Sequence, residues 1–236
     1  MDLKIGEYYY LFGNDVKFRK LPKTSSEVIQ LLKIGAEIEI IDKSRETLNY
    51  NGIESPFYKV KFKNNIGYVL GGLISIEKKE NHNSSYFFAY KKNEHNYSVI
   101  IRHLNKSLEL KEIESELTTA EFSIDLFNNR GIVGVENVLF INYIAEACGV
   151  DGGGIYFFKL KNEIKKVFEI TQVSDGGIYW FSENLIFPNE EKGIPGRMVY
   201  QKEVGVYEDE ETNWVEITKT SRELKWENEE ILPKIK

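Results

Sequence analysis

Short apolar runs separated by polar turns recur along the whole chain, and the clearest of them has a period of two. Tyr58, Val60 and Phe62 alternate with Lys59, Lys61 and Lys63, which places one face in a core and the other in water. Around this run the first third breaks into further β-like pieces: Lys17-Phe18-Arg19, Val28-Ile29-Gln30-Leu31-Leu32, Ile38-Glu39-Ile40-Ile41 and Ile66-Gly67-Tyr68-Val69. Asn64-Asn65 suits a tight hairpin, because Asn tolerates positive φ. Residues 42–55 are hydrophilic and predict a loop. A short helix over 26–33, capped by Ser26, competes with a strand; the β-branched Val28-Ile29 pair and the eight-residue length favour the strand.

Residues 77–85 (Glu-Lys-Lys-Glu-Asn-His-Asn-Ser-Ser) are polar and predict a linker, placed at 79–85. Beyond them β-like runs return: 86–90, 97–101, 122–127, 138–141, 155–158, 167–170, 178–181, 198–200 and 214–217. Residues 108–117 are ambiguous, since Leu110, Ile113 and Leu117 have helical spacing while Leu108 and Leu110 alternate. The acidic run 208–211 reads as a solvated hairpin tip. One echo stands out: Asp151-Gly152-Gly153-Gly154 and Asp175-Gly176-Gly177 each precede an aromatic run, with Ile155 and Ile178 23 positions apart. Such duplication occurs in propeller blades, but about 150 residues at roughly 40–50 per blade falls short of closure. The fold expected is all-β: a small barrel over 1–78, the linker, and a larger antiparallel β domain over 86–236, as a meander, sandwich or open barrel.

Val16-Lys17-Phe18-Arg19-Lys20-Leu21-Pro22, residues 26–41 and residues 57–69 together resemble the bacterial SH3-like domain, the likeness extending over about 8–77. Arg19-Lys20-Leu21-Pro22 matches the Arg-x-x-Pro turn usual in that family, whereas Phe57 and Tyr68 stand where its members often carry Trp. The resemblance implies a module that binds cell-wall peptides or docks a neighbouring domain, with Tyr58, Tyr68 and Phe57 as the candidate ligand-binding aromatics and the 42–55 segment beside them.

Composition supports packed β structure. Hydrophobic residues make up 42% of the 236, and 14 Tyr and 14 Phe suit a half-buried pleated surface. The net charge of −6 is uneven: residues 1–82 hold 13 Lys/Arg against 11 Asp/Glu, residues 83–236 hold 18 against 26. An acidic larger part argues against nucleic acid, whose phosphates need a cationic face. The lone Cys148 excludes an internal disulfide and reads as a small buried residue. No apolar run reaches the ~18 residues of a membrane span. The opening Met1-Asp2-Leu3-Lys4-Ile5-Gly6 has no hydrophobic leader, so a native start at Met1 predicts the cytoplasm, and a trimmed leader the envelope or periplasm.

No catalytic set assembles from the sequence. His82, His95 and His103 all precede Cys148, so the order needed by a cell-wall cysteine peptidase is missing. One Cys and three scattered His do not make a zinc site, and the histidines read better as surface residues. Asp125, Asn128 or Asn129, Gly131 and Glu136 faintly resemble the Asp-rich calcium loop of propeller-type repeats. Leu126, Phe127 and Arg130 interrupt that pattern, and a plain Asn-Asn-Arg-Gly turn is the simpler reading. The Asp-Gly pairs at 151 and 175 read as turns in the same way, and no cofactor is expected. Glu146 and Glu183 are the best available carboxylates for a glycosidase-like site, and surface positions explain them better. The leading expectation is a non-enzymatic binding or docking protein of the bacterial cell envelope that recognises a peptide, cell-wall fragment or protein. The alternatives are a hydrolase with a carboxylate site on 86–236 and a cytoplasmic acidic inhibitor or regulator.

Overall fold

A computed structural model describes residues 2–81, 84–94, 96–144, 152–175, 179–209 and 214–235. Among the described residues every regular element is a β-strand except one 3-10 turn at Gly71–Leu73, so the fold is all-β as expected. The chain divides into two compact units, Met1–Leu117 and Thr118–Lys236.

The first unit opens with a six-stranded antiparallel sheet. Its strands are β1 (Tyr8–Tyr10), β2 (Val16–Arg19), β3 (Val28–Leu32), β4 (Glu37–Tyr50), β5 (Ile53–Phe62) and β6 (Asn65–Leu70), in the order β1-β4-β5-β6-β2-β3. The β-branched reading of 28–32 holds, with Leu32 paired to Val16. Alternation decides the packing: Val16, Phe18, Ile38, Ile40, Tyr58 and Val60 enter one core, while Lys17, Glu37 and Lys61 stay exposed. Each fully buried aliphatic or aromatic side chain there contributes about 1.5–3 kcal/mol.

Residues 42–55 are not a loop. β4 continues to Tyr50, turns at Asn51-Gly52 and returns as β5, with Tyr50 paired to Ile53. Asn51 and Gly52 both have positive φ, 53° and 75°, the geometry of a primed two-residue hairpin. The segment looks like a loop because most of the β4 side of this arm is exposed, so its side chains are polar although its backbone is paired. Irregularities between Ile40 and Asp42 and between Lys43 and Thr47 absorb the surplus residues.

A second antiparallel sheet completes the unit: β7 (Glu77–Asn81), β8 (Ser84–Asn93), β9 (Asn96–Asn105) and β10 (Leu110–Leu117), in the order β10-β9-β8-β7. Two expectations are corrected here. Residues 79–81 and 84–85 of the expected linker lie in the paired strands β7 and β8, in which Glu80 pairs with Ser85 and Asn81 with Ser84, and the boundary between compact units falls after Leu117. Residues 110–117 are a strand, along which Ile113, Ser115 and Leu117 are the shielded alternate positions; Ser115 at a buried site masked the period. The two sheets are tied by Ser75 N–H to Tyr10 O (2.8 Å), by Ile76 N–H to Phe88 O (2.9 Å), and by Arg102, which donates to Phe12 O (2.8 Å) and lies over its ring. Phe12, Phe87, Ala89 and Ile100 form the core between them.

The second unit is one eight-stranded antiparallel meander, laid down in sequence order. It comprises β11 (Phe122–Phe127), β12 (Asn137–Tyr143), β13 (Gly152–Lys159), β14 (Ile164–Asp175), β15 (Tyr179–Ile186), β16 (Met198–Asp209), β17 (Trp214–Glu227) and β18 (Glu230–Leu232). Val138, Tyr156, Phe158, Leu185, Phe187 and Leu224 anchor its core. Gly153 and Gly154 lie inside β13 rather than in a turn. Their φ values are 98° and 155°, and a Cβ would overlap the Ile170 carbonyl on β14 or the Ile141 carbonyl on β12. Asp175 closes β14. Asp151 and residues 176–178, the rest of the echoed motif, lie outside the described residues, as do Glu210 and Glu211 of the acidic run, whose Glu208 and Asp209 end β16.

Candidate functional site

The β4–β5 arm creates the most site-like feature of the first unit. At its tip the Asn51 carbonyl accepts a hydrogen bond from Lys92 N–H on β8 (2.8 Å), and Gly52 sits so close that a Cβ would overlap the Lys92 carbonyl. Below this contact, between the arm, the 3-10 turn and β8, lies a cleft of about 80 Å³. Tyr50, Ile53 and Tyr58 line it from the arm, and Ile74, Ile76, Ala89 and Tyr90 from the other side. Gly71 and Gly72 bring the backbone against the rings: a Cβ on Gly71 would sit 2.9 Å from Tyr58 Cε2, and one on Gly72 2.8 Å from Tyr50 Cδ1. Tyr58 is buried, and its hydroxyl accepts from Leu3 N–H (3.2 Å).

Among the described residues that line the cleft, Glu54 is the one with a charge. Its Oε1 accepts a hydrogen bond from the Thr47 hydroxyl at 2.7 Å. Glu54 and Pro56 also border an open trough of about 510 Å³ on the arm, with Asp2, Lys43 and Arg45. There Lys43 and Asp2 pair at 2.5 Å, which lowers the Asp2 carboxyl and raises the Lys43 ammonium relative to their ordinary pKa values. The arrangement can hold an apolar chain with a polar end. It offers no nucleophile–base pair.

Of the aromatics suggested by the SH3-like resemblance, the cleft uses one. Tyr68 pairs across the sheet with Lys59, so it projects from the face opposite Tyr58, and Phe57 shares the Tyr68 face. Phe57 is itself buried. No single groove can therefore combine Tyr58 with Tyr68. Tyr50, Ile53 and Glu54 were hidden in the presumed loop, although the Asn51-Gly52 dipeptide between them is a strong hairpin signal.

The candidate calcium residues are engaged otherwise. Asn128 Oδ1 accepts from Arg130 N–H (2.9 Å) and Asn129 Oδ1 from Gly131 N–H (3.1 Å), as turn residues do. Glu136 receives the buried Lys159 ammonium at 3.1 Å, and Asp125 lies on β11 opposite Phe140. Arg130 stacks over Phe127 (3.8 Å) and pairs with Glu190 (2.8 Å), filling the loop with a cation. Among the described residues no group of three or more His, Cys, Asp or Glu could hold a metal ion.

Glu183 is also committed. Its Oε1 accepts from the Tyr200 hydroxyl (2.6 Å) and its Oε2 from Thr171 N–H (2.8 Å), and burial together with that hydrogen bond raises the Tyr200 pKa. His103 is not a surface residue: it is 2% exposed, with Nε2 at 2.8 Å from Ser84 Oγ and its ring on Tyr86. Glu146, Cys148, His82 and His95 lie outside the described residues. No helix among the described residues is long and apolar enough to cross a membrane.

Compared with known proteins, the chain matches no family model, no curated protein and no solved structure.

Proposed function

We propose that the chain is a non-enzymatic binding protein whose first unit seats one side chain of a partner peptide in the cleft beneath the β4–β5 arm. The observation that carries this reading is the cleft itself: an apolar, tyrosine-rich recess held open by a docked hairpin tip and a Gly-Gly turn. Concave apolar sites with a few placed polar groups are where proteins bind ligands. The strongest carboxylate candidate of the second unit, Glu183, has both oxygens occupied by the protein, which favours binding over hydrolysis. The SH3-like resemblance over 8–77 adds cell-wall peptides to the ligands to try and makes the bacterial envelope the proposed place of work.

Panning a random peptide library on the full-length chain tests this. Enriched peptides share one anchor side chain and lose binding to Ile53→Trp, which fills the cleft from a half-exposed position while a thermal melt verifies folding. Enriched peptides that bind Ile53→Trp unchanged, or no enrichment at all, remove the cleft from the function.

A further inference from the structure

We infer that the side chain taken by the cleft is a primary alkylammonium, a lysine of the partner, with its methylenes among the tyrosines and its ammonium at the Glu54 carboxylate. This deepens the function proposed above and rests on it. Charge is the first ground. Glu54 makes no ion pair among the described residues, its only hydrogen bond there comes from the neutral Thr47 hydroxyl, and it lines a recess that is otherwise uncharged. An anionic ligand would meet repulsion at this carboxylate, and a cationic one attraction.

The second ground is the lining. Tyr50, Tyr58 and Tyr90 put three π systems around a space that also offers Ile53 and Ala89. Aromatic rings attract ammonium groups, and aliphatic walls suit the methylene stem that a lysine carries. The trough beyond Pro56 sets the one opposing charge. Its Lys43 is neutralised by Asp2, which leaves the exposed Arg45 competing for Glu54.

Amide chemical shifts of the full-length chain, titrated with N-acetyl-lysine methylamide and with the uncharged N-acetyl-norleucine methylamide, decide the matter. The lysine probe shifts Gly71, Gly72 and Ala89 and binds about tenfold more tightly than the norleucine probe. Glu54→Gln abolishes that preference and leaves norleucine binding intact, and Arg45→Ala strengthens lysine binding. Equal affinity for the two probes, with Glu54→Gln silent, overturns the ammonium assignment while the cleft survives as an apolar site. If neither probe moves those amides up to its solubility limit, the cleft reading falls together with this one.

Discussion

The two units use the same element in opposite ways. The second lays eight strands down in sequence order, so each strand pairs with its chain neighbours. The first interleaves them, with β1 beside β4 and β2 beside β6, and joins two sheets through a hairpin arm and a few backbone hydrogen bonds. Where elements meet without pairing, a recess is left between them, and the cleft lies at such a place. The units also differ in charge: residues 1–117 carry 18 Lys/Arg and 16 Asp/Glu, residues 118–236 carry 13 and 21. A meander assembles from local contacts; an interleaved sheet needs long-range ones, and that is what can shape a site.

All three tryptophans, Trp180, Trp214 and Trp226, belong to the second unit, so their fluorescence reports on it alone. The largest effect expected is from Gly153→Ala. The new Cβ overlaps the Ile170 carbonyl inside a buried strand, at positive φ, and costs roughly 3–4 kcal/mol in the tryptophan-detected urea transition. Gly52→Ala in the arm of the first unit leaves that transition in place and deprotects the Asn51–Lys92 contact in hydrogen exchange. If Gly52→Ala moves the tryptophan transition as far as Gly153→Ala does, the two units unfold as one and the comparison breaks.

Alkali gives the next effect. Tyr156 is buried, which pushes its pKa up to about 12, and Tyr200 is raised in the same direction. A phenol whose folded pKa lies above the ordinary value near 10 keeps its full stabilisation below that pH and loses it as the pH climbs toward 12. The second unit therefore loses about 2–3 kcal/mol through Tyr156 between pH 10 and 12, and Tyr156→Phe flattens the loss. A urea midpoint constant across this range in the native chain would contradict the buried state of these rings.

The smallest effect belongs to the exposed pairs. Lys33→Ala removes a 2.6 Å contact with Asp15 between two exposed side chains and shifts stability by less than about 1 kcal/mol. A larger loss, measured by thermal melting in low salt, would mean that β3 and its flanking turn hold the first sheet more firmly than its core does.

Legibility followed exposure. Strands with one wet and one buried face, such as β5, showed their period directly, and the runs at 86–90, 122–127 and 198–200 all fall within strands. The arm over 42–55 and the β7–β8 hairpin were read as loop and linker because polar side chains cover a paired backbone, and side-chain polarity says nothing of main-chain hydrogen bonds. Strand 110–117 was obscured by Ser115 at a buried site. Tyr58 lies on the face opposite Tyr68 and Phe57, with which it was grouped: neighbouring positions in a strand point to opposite faces, and only the register assigns the face.

By itself, then, the sequence determined that the chain is all-β and where most strands lie, because period and β-branched or aromatic content are local properties. Which strands are neighbours, where the units divide, and which residues surround the cleft were decided by the tertiary structure alone. Tyr50, Tyr58, Gly72 and Tyr90 are scattered over forty positions of chain, and only long-range pairing and the docking of a glycine-tipped arm bring them around one space.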